Sequence, residues 1–487
     1  MALEAVIGLE CHVQLRTRTK MFCGCRAAFG DEPNTAVCPV CLGLPGSLPR
    51  PNGAAVEAAL RLGLALGCEV PAVSVFARKH YFYPDMPKNY QITQYDRPLC
   101  VGGALPAEVG GEERDFELAR LHLEEDTGKS FHPERRGDRP VSRLDYNRAG
   151  VPLVEIVTKP VFRDPAECAA FLAALRRLVR WLGVSDGDME KGQLRCDANV
   201  SLRPGGATAL GVKTELKNLN TIHGVERGLR AEIGRQRALL EEGGEVEPAT
   251  LLYDAGRGRL AVMRTKEEIH DYRYFPEPDL PALATGAAAL ERLRAALPEL
   301  PWARAARLCA VHGLAAEDAR VLCEQRELAD YYEACAAGAD PRTASHWVRT
   351  AVLAALRERG WTLEALAGRL APARLAGLVA RVAAGTLPGP LAKRAFAWML
   401  EEPGGVDEVL ARHGARVLDD LAALRALARE VLDEHAEVAA GVLAGRGRAV
   451  EFLLGQVVKR SGGQAAPGPA RAALEAELAR RAGRGGA

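Results

Sequence analysis

The chain has 487 residues, too long for one hydrophobic core, so about three domains are expected. Hydrophobic residues make up 48% and charged residues 26%, the balance of a folded soluble protein. The formal net charge of +1 excludes nucleic-acid binding through overall charge, so any RNA contact must come from a local basic patch. No apolar run approaches the roughly 18 residues that cross a bilayer. Residues 1–15 carry Glu4 and Glu10 and no basic leader, so a cytoplasmic protein is expected, with neither signal peptide nor membrane contact.

The first element, Ile7–Leu15, alternates with period two. Leu9, Cys11, Val13 and Leu15 share one face, and Glu10, His12 and Gln14 share the other, as in a half-buried strand. Residues 22–45 place Cys23, Cys25, Cys38 and Cys41 in a Gly/Pro-rich stretch, as C-x-C followed by C-x-x-C. Four thiolates so spaced match a tetrahedral structural zinc site, and metal binding there contributes folding free energy on the order of 10 kcal/mol. Carboxylates recur at Glu124-Glu125-Asp126 and at Glu155 within the otherwise apolar VPLVEIV. A carboxylate in such a run is costly to bury without a cation or hydrogen-bond donors.

Asp164 is placed to N-cap a helix, with Pro165 in its first turn and an apolar stripe of Phe171, Leu172, Leu175, Leu178, Val179 and Leu182. Gln193–Leu202 alternates again, with Arg195, Asp197, Asn199 and Ser201 opposite Leu194, Cys196, Ala198, Val200 and Leu202. Lys213, Glu215 and Lys217 share a face in KTELKN. Near residue 290 the chain turns Ala/Leu/Arg-rich with helical periodicity. Loops are expected at Ala339-Asp340-Pro341 and Pro388-Gly389-Pro390, a break at Glu402-Pro403-Gly404-Gly405, another loop at Ser461–Pro469, and disorder over Ala482–Ala487. From residue 440 onward eight basic residues, among them Arg446, Arg448, Lys459 and Arg460, face three acidic ones, which makes the tail a candidate RNA contact.

Two chemistries are set aside. The GKS at Gly128–Ser130 has Leu123 where a Walker loop needs its first glycine. No amidase loop or N-terminal cysteine is present to generate ammonia, and Cys196 has no evident base to make it a nucleophile. The polar strand faces leave two readings open. One gathers Glu10, His12, Glu124 or Glu125, Glu155 and Asp197 around Mg²⁺ for phosphoryl transfer from ATP, with His12 orienting a carboxylate or water because imidazole is a poor Mg²⁺ ligand. The other is an amphipathic sheet with a solvated face.

Read together, several strings resemble the B subunit of the aspartyl/glutamyl-tRNA amidotransferases, the GatB family. They are GLECHVQL, PNTAVCPVCLGLPGSLP, RKHYFYPDMPKNYQITQYD, RLHLEEDTGKS, DYNRAGVPLVEIV, RCDANVSLRP, KTELKNLN, MRTKEEIHDYRYFPEPDLP and FLLGQVVKRSGGQAAP. The resemblance implies an α+β protein with a cradle-shaped mixed-sheet catalytic domain over residues 1–293, including a zinc ribbon over 22–45. A helical domain over 294–405 and a helical, tRNA-binding tail over 406–487 would follow. It also implies an ATP- and Mg²⁺-dependent ligase that phosphorylates the side-chain carboxylate of Glu on tRNA(Gln) or Asp on tRNA(Asn). Ammonia would come from an amidase A subunit, with a small C subunit completing a heterotrimer.

Carried onto this chain, Glu10, His12, Glu125, Glu155 and Asp197 become the catalytic and Mg²⁺ residues, with Glu124 the alternative to Glu125. Cys23, Cys25, Cys38 and Cys41 become zinc ligands. Lys79, Lys213 and Lys217 are the lysines considered for ATP, and Lys459 and Arg460 are expected at tRNA. The chain departs from the family pattern at Ala77, Lys191 and Leu251, and the last is expected to delete a cation near the site. A non-catalytic tRNA-binding scaffold with a zinc ribbon is the alternative function.

Overall fold

A computed structural model describes residues 3–27, 29–136, 139–254, 256–265, 272–443 and 449–484. The chain divides into two compact units, Met1–Leu300 and Pro301–Ala487. No helix among the described residues is long and apolar enough to cross a membrane.

The first unit is built on a mixed sheet of nine strands among the described residues. In chain order these are β1 (Leu3–Gln14), β2 (Cys100–Val101), β3 (Ala104–Val109), β4 (Glu112–Glu125), β5 (Pro152–Thr158), β6 (Leu194–Pro204), β7 (Thr214–Leu219), β8 (Ala249–Asp254) and β9 (Arg259–Thr265). They lie in the order β9-β8-β7-β6-β1-β5-β4-β2, with β3 also paired to β4. Every pair is antiparallel except β7 with β8.

The period-two expectation for β1 and β6 holds. Leu9, Cys11 and Val13 of β1 are buried, as are Leu194, Cys196, Ala198 and Val200 of β6, whereas Glu10, His12, Arg195, Asp197 and Asn199 are half-buried on the other face. Helices α1 (Pro165–Trp181) and α2 (Ile222–Glu241) pack on each other and on strands of this sheet, α1 against β3 and α2 against β6 and β7. Asp164 caps α1 as expected, its Oδ1 accepting from the Ala166 N–H at 2.7 Å. All six stripe residues from Phe171 to Leu182 are buried. At Gly228 a side chain would bring a Cβ within 3.0 Å of Leu219 Cδ2, so glycine there lets α2 approach the sheet closely.

One polar group is built into this packing. Glu232 of α2 is fully buried and accepts from Thr214 Oγ1 at 2.8 Å, Gln236 Nε2 at 2.9 Å and the Arg235 guanidinium at 2.7 Å.

The second unit is helical. Asp340 caps the helix Pro341–Trp347, and Pro388 lies at the N-cap of Gly389–Glu401, so Pro388-Gly389-Pro390 opens a helix where a loop was expected. Proline fits there because its missing N–H is one the first turn leaves unpaired anyway. The break at 402–405 separates Gly389–Glu401 from Val406–Arg412, which pack together. A separate cluster joins Leu424, Ala428, Val431 and Leu432 to Leu453, Val457, Leu474 and Leu478 on the last helices. The final helix, Pro467–Arg484, runs into the stretch expected to be disordered, and residues 485–487 lie outside the described residues, as do Arg446 and Arg448.

Replacing Glu232 by Ala leaves Thr214, Gln236 and Arg235 without their shared acceptor, and should cost about 2–4 kcal/mol. A lowered urea midpoint of the first unit is expected, and a wild-type midpoint would contradict the role given to this network.

Candidate active site and metal centre

The polar face of the sheet is a direct product of register. His12 on β1 stands opposite Glu155 on β5 and Arg195 on β6, and Glu155 in turn stands opposite His122 on β4. The row His122–Glu155–His12–Arg195 therefore crosses four strands. Glu10 faces Asp197, and Asn199 faces Glu215 one step along. Opposed residues on neighbouring strands come within about 5 Å, so charges placed this way interact directly.

Within the row, His12 Nε2 lies 3.3 Å from Glu155 Oε2 and 3.4 Å from Glu124 Oε1, and His122 Nε2 lies 3.2 Å from Glu155 Oε2. The donor atoms of His12, Glu124 and Glu155 all fall within 4.8 Å of one another. Burial would lower the His12 pKa, but Glu155 and then Glu124 outweigh it and raise the ring from 6.5 to about 9. Burial would raise Glu155, and His122 with His12 reverses that, holding it well below the usual carboxylate range. Glu10 is raised, first by burial and then by Glu155, Glu215 and Asp197. Two carboxylates converging on one histidine suit a hard divalent cation that keeps waters for its other positions.

This cluster lines a cavity of about 660 Å³, within the range of small-molecule sites. Lys79, Lys213 and Lys217 also line it, with Asp126, Arg195 and Glu215. Lys217 Nζ bonds Asp197 at 2.7 Å and Glu215 at 2.9 Å, and Arg195 bonds Asp126 at 2.8 Å. Burial opposes the charge on Lys79, but Glu124 and Glu155 more than offset it. Tyr95 and Tyr274 stack at the same cavity with centroids 4.1 Å apart, and Lys79 lies 5.0 Å over the Tyr272 ring.

Glu10, His12, Glu124, Glu155, Asp197 and the three lysines thus share one cavity. Glu125 does not point into it. Successive strand residues face opposite ways, so Glu125 is buried behind the sheet, paired with Lys88 and accepting from the Ile92 N–H at 2.9 Å. Of the two adjacent glutamates, Glu124 is the one brought to His12. Leu251 is likewise buried, opposite Leu216, and does not line the cavity, so the position expected to lose a cation near the site lies in the apolar layer. Ala77 is buried in the strand Phe76–His80, and Lys191 pairs with Asp188 at 3.2 Å. His122, Arg195 and Glu215 were not singled out as site residues, although the polar alternation Arg120-x-His122-x-Glu124 was a signal for the first. The stretch 266–271, from the middle of the MRTKEEIHDYRYF string, lies outside the described residues.

The four cysteines form a second cluster, their Sγ atoms all within 4.8 Å of one another and Cys38 and Cys41 3.9 Å apart. A tetrahedral Zn–S site with bonds of about 2.3 Å has sulfurs about 3.8 Å apart, so the set fits zinc. Cys41 is lowered to about 5, chiefly by the hydrogen bond from Cys23, and burial pushes Cys25 up to about 11.

Comparison with known proteins settles the kinship. A family model described as the GatB/GatE catalytic domain matches residues 5–291, and one described as the GatB domain matches residues 330–478. The chain belongs to the GatB family. Among curated relatives, the B subunit of the aspartyl/glutamyl-tRNA(Asn/Gln) amidotransferase of Moorella thermoacetica is 47% identical over 98% of this chain and 100% of its own length. The protein of the same name from Frankia casuarinae is 49% identical over 95% of this chain and 93% of its own, and that from Chlorobium chlorochromatii 46% over 96% and 97%. The GatB-family strings of the sequence thus run through the strands that carry the His12 cluster and the loop that carries the cysteines.

In the metal-free protein the His12 ring should stay protonated through neutral pH and titrate near 9, as NMR of the imidazole would show. Because its folded pKa lies above the free value of 6.5, its contribution to stability is complete below pH 6.5 and is lost as pH rises through about 9. In Glu155→Gln the titration should fall toward 6.5; a value still near 9 would contradict the pairing.

Proposed function

We propose that this chain acts as the B component of an aspartyl/glutamyl-tRNA(Asn/Gln) amidotransferase, and that the cavity on its sheet converts Glu on tRNA(Gln), Asp on tRNA(Asn), or both, to the amide at the expense of ATP. The observation that carries this reading is the convergence of His12, Glu124 and Glu155 on the wall of a cavity that also presents Lys79 and Lys213. A purely RNA-binding scaffold has no use for buried carboxylates set against two imidazoles.

A carboxylate is a poor acyl donor. In the proposed reaction its oxygen attacks the γ-phosphorus of ATP, ADP departs, and the resulting acyl phosphate carries a good leaving group. The nitrogen of ammonia then attacks the carbonyl carbon, phosphate leaves and the nitrogen gives up a proton. Mg²⁺ held by Glu124 and Glu155, with His12 orienting these carboxylates, would supply charge neutralisation to the phosphate oxygens. Lys79 and Lys213 offer positive charge to the same oxygens, and Lys217 can exchange Asp197 and Glu215 for phosphate. Glu10, with its raised pKa, is suited to take the proton from the attacking nitrogen. Tyr95, Tyr272 and Tyr274 add cover that limits hydrolysis of the acyl phosphate.

Under this reading ammonia comes from an amidase A subunit, a small C subunit completes the heterotrimer, and the assembly is cytoplasmic. Cys23, Cys25, Cys38 and Cys41 hold Zn²⁺ as a structural centre. Residues 1–293 are catalytic, 294–405 helical, and 406–487 a tail that contacts tRNA. In that tail Arg460 is paired with Glu430 at 2.9 Å and with Glu434, while Lys459 beside it is exposed, so Lys459 is the freer cation for phosphate.

With partner subunits, ATP, Mg²⁺, ammonium and Glu-tRNA(Gln), His12→Ala and Glu124→Ala should each lower coupled ADP and amide formation on the order of 100-fold or more, with tRNA binding retained. Wild-type turnover by either variant would refute the assignment. For the tail, Lys459→Glu should weaken tRNA binding and flatten its dependence on salt by about one phosphate contact. Titrations at several salt concentrations that superimpose on wild type would remove Lys459 from the interface.

A further inference from the structure

Lys20 precedes the four-cysteine loop, and its side chain is fully buried. Its Nζ donates to the Ala36 carbonyl at 2.7 Å and the Tyr146 carbonyl at 3.3 Å, and lies 3.7 Å from Cys41 Sγ. Two neutral carbonyls satisfy hydrogen bonds but do not balance a charge. An ammonium taken wholly out of water needs a counter-charge; the nearby Glu125 carboxylate is paired with Lys88, and the thiol in contact with the Lys20 Nζ is Cys41. Four thiolates on Zn²⁺ carry a net charge of −2, which is costly on the side where Cys41 is buried, Cys23, Cys25 and Cys38 being partly exposed. The two requirements answer each other.

We propose that Lys20 is the charge partner of the metal centre: its ammonium donates an N–H···S hydrogen bond to metal-bound Cys41 and halves the net charge of the tetrathiolate. This rests on the zinc reading given above. Lys20 is a positioning residue, since it touches a ligand and not the metal. Its bond to Tyr146 extends the effect into the turn that leads to β5. There Asn34 Nδ2 donates to Leu144 O at 2.9 Å, Asn34 Oδ1 accepts from the Tyr146 N–H at 2.8 Å, and Asn147 Oδ1 accepts from the Ala36 N–H at 2.8 Å. Gly150, in the left-handed region with φ +85°, brings the backbone against the same lysine: a Cβ there would lie 3.5 Å from both Lys20 Cδ and Cys41 Cβ. The metal loop and the turn before β5 are thus joined through one cation.

The test is zinc affinity of the full-length chain, measured by competition with a chromogenic chelator, for wild type, Lys20→Met and Lys20→Arg. Lys20→Met, which keeps length and loses charge, should bind zinc about 10- to 100-fold more weakly, the usual effect of removing a partner of a metal ligand. Lys20→Arg should recover part of that loss. Alkylation of Cys41 by iodoacetamide in the zinc-loaded protein should be faster in Lys20→Met, because the sulfur loses its hydrogen bond. Equal affinity and equal alkylation in Lys20→Met and wild type would overturn the proposal while leaving the zinc reading intact. A wild-type chain that binds no zinc would overturn both. If neither variant folds, labelling of Lys20 by an amine reagent in the wild-type protein decides. Labelling that rises when zinc is stripped supports the pairing, and protection unchanged by stripping overturns it.

Discussion

The pairing of β1 with β5 on one side and β6 on the other is the constraint on which the candidate site depends. It sets His12 between Glu155 and Arg195, and the next pairing sets His122 beside Glu155. Glu155 stands between two imidazoles in this row, and Arg195, next to His12, is balanced by Asp126. A shift of one residue in register would turn His12 into the apolar layer and bring Cys11 to the cavity, which burial on the opposite face forbids. The same burial that makes the sheet stable therefore positions the chemistry. Helices α1 and α2 contribute by packing against strands of the sheet, and the polar cluster faces a cavity.

Electrostatics then distinguish groups that composition treats alike. Glu155 is held ionised by two imidazoles, whereas Glu10, close by on the same face of the sheet, is raised by burial and by the carboxylates around it. One cavity thus holds two carboxylates whose proton affinities are pushed in opposite directions. Lys217 and Arg195 are tied to Asp197 and Asp126, which gives two of the cavity's carboxylates a cation each.

The cysteine cluster is a second organising point in the first unit. Among the described residues of its loop only Phe22 and Cys41 are buried, and the loop is held by hydrogen bonds to residues 144–147, more than a hundred positions along the chain. Those residues lead through Gly150 to β5 and Glu155. A buried ion pair, Lys88 with Glu125, lies on the same side. The two adjacent glutamates of β4 therefore serve opposite faces: Glu124 joins the cluster in the cavity, and Glu125 joins the packing against the cysteine loop.

Much of this was legible from residue order. Alternation in Ile7–Leu15 and Gln193–Leu202 defined both strands and the side each polar group takes, because a strand repeats every two residues whatever surrounds it. The cap and stripe of α1 followed from local chemistry in the same way, and the four cysteines declared themselves by spacing. Long-range pairing decided the rest. The choice of Glu124 over Glu125 needed the direction in which β4 faces, and the burial of Leu251 needed its register against β7. His122 and Glu215 joined the site through strands distant in the chain, and Lys20 took on meaning only when Tyr146 and Cys41 closed around it. Sequence by itself determined which side chains alternate, which cap a helix and which cysteines are spaced to suit a metal, since those properties are local. Tertiary structure decided which carboxylates converge on His12 and which lysine is stripped of water, because desolvation and Coulomb interaction depend on distances that only folding sets.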